Sequence, residues 1–299
     1  MRFHRFHCVI LAGSLAMAVC TSGFGQSEKI TVRLAPTPNQ TVKMRMIQDM
    51  QMELSMPGAP AIPGMQGMKL GTKSVSAITQ KVGPANAAGI TETEVTFDES
   101  SIETTVNGQP MPMAGATSDL AGKKIVIVTD KDGKAIDVKG MDGISAVADS
   151  MTQLVKAAGG NLPTTPIAVG ETVTAPLDMA LPVPVGAGGA VKMTGEVRYK
   201  LVSIDKDPDG SRIARFDITT QGAMAPDSAA PSPIPGMQMK MKVTISGSGT
   251  TSYNLDKGVI KSSESRNTMS GTVESEGAGL QLPPMAIQGE IKQTINRVN

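Results

Sequence analysis

The chain has 299 residues, 18% of them charged, with 28 lysines and arginines against 27 acids, and that near balance gives no support to electrostatic capture of nucleic acid. Its 2 cysteines and 2 histidines, Cys8, Cys20, His4 and His7, all lie in the first twenty residues. Disulfide stapling and imidazole-dependent nucleophilic catalysis are therefore excluded for everything downstream.

Residues 1–25 have the layout of a secretory signal. Arg2 and Arg5 precede an apolar run from Cys8 to Cys20, and Gly23 and Gly25 place small residues before Gln26. Cleavage is expected between Gly25 and Gln26. The apolar run of about 13 residues falls short of the roughly 20 needed to cross a bilayer, so no transmembrane anchor is expected after cleavage. Lipid anchoring at Cys20 is the alternative, but Val19 stands where a lipoprotein signal carries a small residue. The expected location is the periplasm or the extracellular space, and the mature chain has a net charge of −1.

The first element downstream is TVKMRMIQDMQMELS at 41–55, where Val42, Met44, Met46, Met50, Met52 and Leu54 alternate with mostly polar residues. Period-2 alternation of this length predicts a half-buried strand of a large curved sheet. Shorter strands are expected near 72–82, 89–97, 101–106, 123–129 and 134–139. Ile144, Val147, Met151, Leu154, Val155 and Ala158 then recur at helical spacing before Gly159 and Gly160, predicting one amphipathic helix at 144–158.

Alternation returns with Val191, Met193, Val197, Tyr199 and Leu201, and again with Met237, Met239, Met241, Val243 and Ile245. Further strands are expected near 211–220, 249–255, 258–266 and 287–298. Hairpin turns are expected at DKDG (130–133), DPDG (207–210) and LDKG (255–258). IPGMQGMK at 62–69 echoes IPGMQMKMK at 234–242, and the strand, Asp-Lys turn and Gly-led strand recur in both halves, as a duplication would leave them. The expected fold is all-β with one helix: two related curved antiparallel sheets or half-barrels, with 26–165 as the first β-rich half and 166–299 as the second.

The long opening strand, VTDKDGKAIDVKG, the helix, LPTTPIAVGETVTAPL at 162–177 and the second Asp-Gly hairpin together resemble an uncharacterised family of exported bacterial proteins. Val173 stands where that family's pattern has an aromatic residue. The resemblance implies a β-rich exported protein and no assigned activity.

Candidate chemistry is sparse. Ser203 and Lys206 have Ser-Lys spacing, but at a strand end rather than on a helix. Glu92, Glu94, Asp98, Glu99 and Glu103 could supply a carboxylate pair, yet sugar platforms are few, and a solvated strand face accounts for them. Asp205, Asp207 and Asp209 open a calcium-loop pattern whose closing position is Phe216 instead of Glu, so they form a weak metal candidate that a hairpin turn also explains. Nineteen methionines follow residue 25. Thioethers can hold Cu(I), but these lie where Val, Ile or Leu would serve the same pattern.

The expected function is a non-enzymatic envelope protein that binds a lipid-like or other apolar molecule in a sheet concavity. The ligand contacts expected are Met44, Met46, Met50, Met52, Met193, Tyr199, Met237, Met239 and Met241, with no cofactor. A structural or protein-interaction module of the envelope is the alternative, and copper binding the next. Oligomeric state is not readable from the sequence.

Overall fold

The computed structural model describes residues 28–32, 36–57, 67–111, 120–131, 133–140, 165–182, 190–226, 237–277 and 283–298. The expected signal segment, its cleavage point Gly25–Gln26 and the expected helix at 144–158 lie outside them. Everything regular within them is β-structure.

The first half supplies β1 (Lys29–Ile30), β2 (Thr41–Ser55), β3 (Met68–Val82), β4 (Thr91–Val106), β5 (Gln109–Pro110), β6 (Lys124–Thr129) and β7 (Ala135–Lys139). The second supplies β8 (Ile167–Ala168), β9 (Thr172–Pro182), β10 (Ala190–Lys206), β11 (Arg212–Pro226), β12 (Met237–Asn254), β13 (Val259–Gly277) and β14 (Met285–Val298). Twelve of these form one antiparallel sheet in the order β7-β6-β4-β3-β2-β14-β13-β12-β11-β10-β9, with β5 paired to β4. Each half thus contributes a contiguous block, and the two meet at the β2–β14 seam. The path is an up-and-down meander that does not close into a barrel, because β7 and β9 are its edges.

Three sequence expectations are corrected. The separate strands near 89–97 and 101–106 are the single β4, and those near 237–245 and 249–255 are the single β12. In β4 the register shifts between Ala77 and Ile78 of its partner, so Asp98 is an extra residue. A bulge of this kind switches which parity of side chains faces the core, and the alternation breaks there. Third, β9 was not expected at all. It carries Pro176 and Pro182, which an edge strand tolerates because it has only one ladder to feed. The three Asp-Gly turns are hairpins, with Gly133, Gly210 and Gly258 at φ 82°, 85° and 65°.

Cross-strand partners share a face, and the registers put the apolar positions of every long strand on the same one. Three buried clusters lie on it. Near the turns, Leu201, Ala214, Phe216 and Tyr253 pack under Ile30 and Ile167 of the small β1–β8 sheet and Val32 just after it. Val95, Phe97 and Ile125 pack with Leu120. At the opposite end of the strands, Val243, Val273 and Ile287 form a third cluster. Between the ends, the same face carries Ser74, Gln48, Gln293, Ser265 and Gly249 in one cross-strand row.

Candidate functional site

The third cluster is the methionine-rich one. Met52 and Leu54 from β2, Met285 and Ile287 from β14, Met269 and Val273 from β13, Met241 and Val243 from β12, and Met224 from β11 pack together. Alternation puts each of these on the apolar face, and antiparallel register brings them level: Ile287 lies opposite Leu54 and Gly271, and Val243 opposite Gly271 and Met224. Glycine matters at that level, since a Cβ on Gly271 would sit 2.0 Å from the carbonyl oxygen of Lys242. Among the described residues, all nine side chains of this cluster come from the sheet itself, whereas the other two clusters include residues from outside it.

The nine residues expected from the sequence separate. Met52 and Met241 belong to this cluster. Met193 is paired in register with Met224, next to it. Met44, Met46 and Met50 are half-buried farther along β2, where Met46 Sδ accepts a hydrogen bond from Gln293 Nε2 at 3.3 Å. Tyr199 is at the far end, edge-on to Phe216 with ring centroids 6.4 Å apart, and burial pushes its phenol up to about 12. The backbones of Met237 and Met239 pair with Gly277 and Ser275, and their side chains lie outside the described residues. Met224, Met269 and Met285 were missed. Their signal was faint, because each is a single methionine without the repeated spacing of 44–52.

The weak metal candidates are held by cations at the turns. Asp205 pairs with Arg215 at 2.9 Å, Asp207 with Lys261 at 2.5 Å, and Asp209 with Lys257. Asp209 also accepts from the Ser211 hydroxyl at 2.5 Å. Ser203 donates to Asp205 at 2.9 Å, so that hydroxyl is turned to the carboxylate. The carboxylates of β4 are spread along the polar face, with Glu92 on Lys139 at 2.7 Å, Glu94 on Lys124 at 3.1 Å and Glu99 near Arg45 at 3.7 Å.

A depression of about 760 Å³ lies on the polar face across β3, β2 and β14, lined by Asp49, Glu53, Lys69, Lys73, Glu103 and Glu290 among others. Its floor drops at Gly71, where a Cβ would meet Thr105 Oγ1 at 2.6 Å. Charges of both signs line it, beside Met52 and Leu70.

No protein-family model and no curated protein matches the chain, which agrees with the resemblance to a family without assigned activity. Among solved structures, a lipovitellin described for its lipid-protein interactions is 8% identical over 89% of this chain, at TM-score 0.45, and this chain spans only 26% of its length. OccK5 of Pseudomonas aeruginosa is 6% identical over 89% of this chain and 100% of its own, at TM-score 0.29. An outer membrane channel from Pseudomonas putida F1 is 9% identical over 92% and 98%, at TM-score 0.18. With TM-scores below 0.5, none of these likenesses assigns a function.

Proposed function

We propose that this chain is an exported, non-enzymatic envelope protein that binds a lipid-like molecule against the methionine-rich end of its sheet. The observation that carries the proposal is the nine-residue apolar cluster built from five strands of one sheet face. Methionine suits loose apolar binding, because its unbranched thioether side chain adapts to irregular shapes. Each methylene buried there is worth about 0.8 kcal/mol, so an acyl segment of roughly ten carbons gains about 8 kcal/mol before the costs of association.

The test is saturable binding of a fluorescent fatty-acid analogue, displaced by phospholipid. Met241→Glu and Met269→Glu place unpaired charges in the cluster, and each should abolish binding while circular dichroism shows the sheet intact. Folded wild-type protein without saturable binding would sink the proposal. Export rests on residues 1–25 and is tested by intact mass, which should show an N-terminus at Gln26 rather than a diacylated Cys20.

Copper binding is the second reading, because Met52, Met224, Met241, Met269 and Met285 share the cluster. Anaerobic Cu(I) titration against a chromogenic chelator separates it from lipid binding.

A further inference from the structure

Sulfur is distributed unevenly over the three apolar clusters. Five of the nine residues of the third are methionines, Met52, Met224, Met241, Met269 and Met285, and among the described residues the other two clusters contain none. Filling irregular space is a need common to all three, so filler alone does not gather methionine into one of them. Burial within the third cluster is graded as well. Val243, Val273 and Ile287 are 3%, 9% and 9% exposed, while all five methionines are half-buried, so the thioethers form the water-reachable side of the cluster.

Two of them flank a glycine. Met52 and Met269 are the cross-strand partners of Gly289, one on each side, and share its face. A Cβ on Gly289 would lie 3.1 Å from Met269 Cγ and 3.4 Å from its Sδ, so this thioether fills the place of the missing side chain. An oxygen added to that sulfur disturbs the packing. No side chain among the nine carries an N–H or O–H that could donate to it.

We propose that this cluster is a reversible oxidation site, whose methionine sulfoxides unpack the methionine-rich end of the sheet. Hydrogen peroxide supplies the oxygen: a sulfur lone pair attacks it, the S–O bond forms as the O–O bond breaks, sulfur gives up two electrons, and the peroxide's second oxygen leaves as water. A dithiol reductant reverses the step, removing the oxygen as water and becoming a disulfide. The sulfoxide is polar, so without a donor in the cluster it turns out to water. No cysteine follows Cys20, so thioethers are the oxidisable sulfur of the folded sheet. Release of a bound lipid-like molecule on oxidation is a further consequence, and it alone rests on the function proposed above.

The test treats the folded protein with limited hydrogen peroxide, maps each oxidised methionine by peptide mass, and follows the melting temperature. The melting temperature should fall by several degrees as the five cluster methionines gain oxygen, and should recover with a dithiol and the two methionine sulfoxide reductases, one per epimer. Met111, 45% exposed and outside the clusters, should oxidise first without effect. Met52→Leu, Met224→Leu, Met241→Leu, Met269→Leu and Met285→Leu combined keep the volume and should abolish the response. Should that variant not fold, Met52→Leu with Met269→Leu should still reduce it. Met44→Leu, Met46→Leu and Met50→Leu combined, outside the cluster, should respond as wild type does. Cluster methionines that resist a peroxide dose oxidising Met111 fully overturn the proposal, as does an unchanged melting temperature once they are oxidised, or an equal fall in the leucine variants. Binding of the fluorescent fatty-acid analogue is read separately: its absence before any oxidation removes the ligand function and leaves the oxidation response to stand or fall alone.

Discussion

Asn254 donates from Nδ2 to the hydroxyl of Ser211 at 2.8 Å, tying the β12–β13 turn to the β10–β11 turn from a position only 2% exposed. Its Oδ1 accepts the backbone N–H of Lys257 at 2.9 Å within its own turn. Asn254→Ala removes both bonds, leaving the part-buried Lys257 N–H without this acceptor and the Ser211 hydroxyl with its bond to Asp209 alone. Urea unfolding should show a loss of about 1–3 kcal/mol. No measurable loss would mean that the two turns are not coupled.

Gly195 and Gly222 face each other across β10 and β11. A Cβ on Gly195 would lie 2.1 Å from the carbonyl oxygen of Gln221, and one on Gly222 would lie 3.0 Å from that of Thr194. Backbone cannot swing away as a side chain can, so Gly195→Ala should cost more than Gly222→Ala, with the first at or above the roughly 1–3 kcal/mol of an overpacked core. Thermal unfolding of the two variants decides the order. Equal melting temperatures would refute the close approach.

Tyr253 has its hydroxyl buried without a hydrogen-bond partner among the described residues. Removing an orphaned polar group relieves its desolvation, so Tyr253→Phe should stabilise the protein by about 1–3 kcal/mol. A loss of stability instead would show that the hydroxyl has a partner, and a crystal structure would then place a buried water beside it.

Tyr199 and Tyr253 are the only 2 tyrosines of the chain, so phenolate absorbance reports on them alone. Burial holds Tyr199 up at about 12 and raises Tyr253 further. In urea both should titrate near 10. The unfolded chain therefore releases these protons first, and native stability should fall as pH rises from about 10 toward 12. Native titration at the urea midpoint would contradict the burial of both rings.

At the acid side, the Lys257 ammonium and then the Ser211 hydroxyl and N–H hold Asp209 well below the usual carboxylate range. The Arg212 N–H, followed by its guanidinium, lowers Asp256. Both carboxyls stay ionised in the native state at pH values where unfolded ones protonate. Their stabilisation is present above the ordinary value of about 4 and is lost as pH falls below it. Melting temperature followed from pH 5 downward should therefore drop less steeply in Asp209→Asn than in wild type, and the difference should shrink in high salt. An unchanged slope would dismiss the Lys257 pair as an energetic factor.

The strand at 41–55, its apolar face and the three Asp-Gly hairpins follow from local rules: side chains alternate across a pleat, and glycine alone enters the left-handed region cheaply. Those features are written within a few residues of one another, so the amino-acid sequence alone determined them. It did not determine that β2 pairs with β14, joining Met52 to Gly289 across more than two hundred residues. Nor did it show that Met224, Met269 and Met285 share a cluster with Met52 and Met241 while Tyr199 lies at the far end. Those outcomes depend on which strands become neighbours and in what register. Backbone hydrogen bonds are the same for any pairing, and only the summed burial of the assembled face selects among them. The bulge at Asp98 was hidden for a related reason: the switch in parity is visible in β4, but only the partner strand β3 shows that one continuous strand carries it.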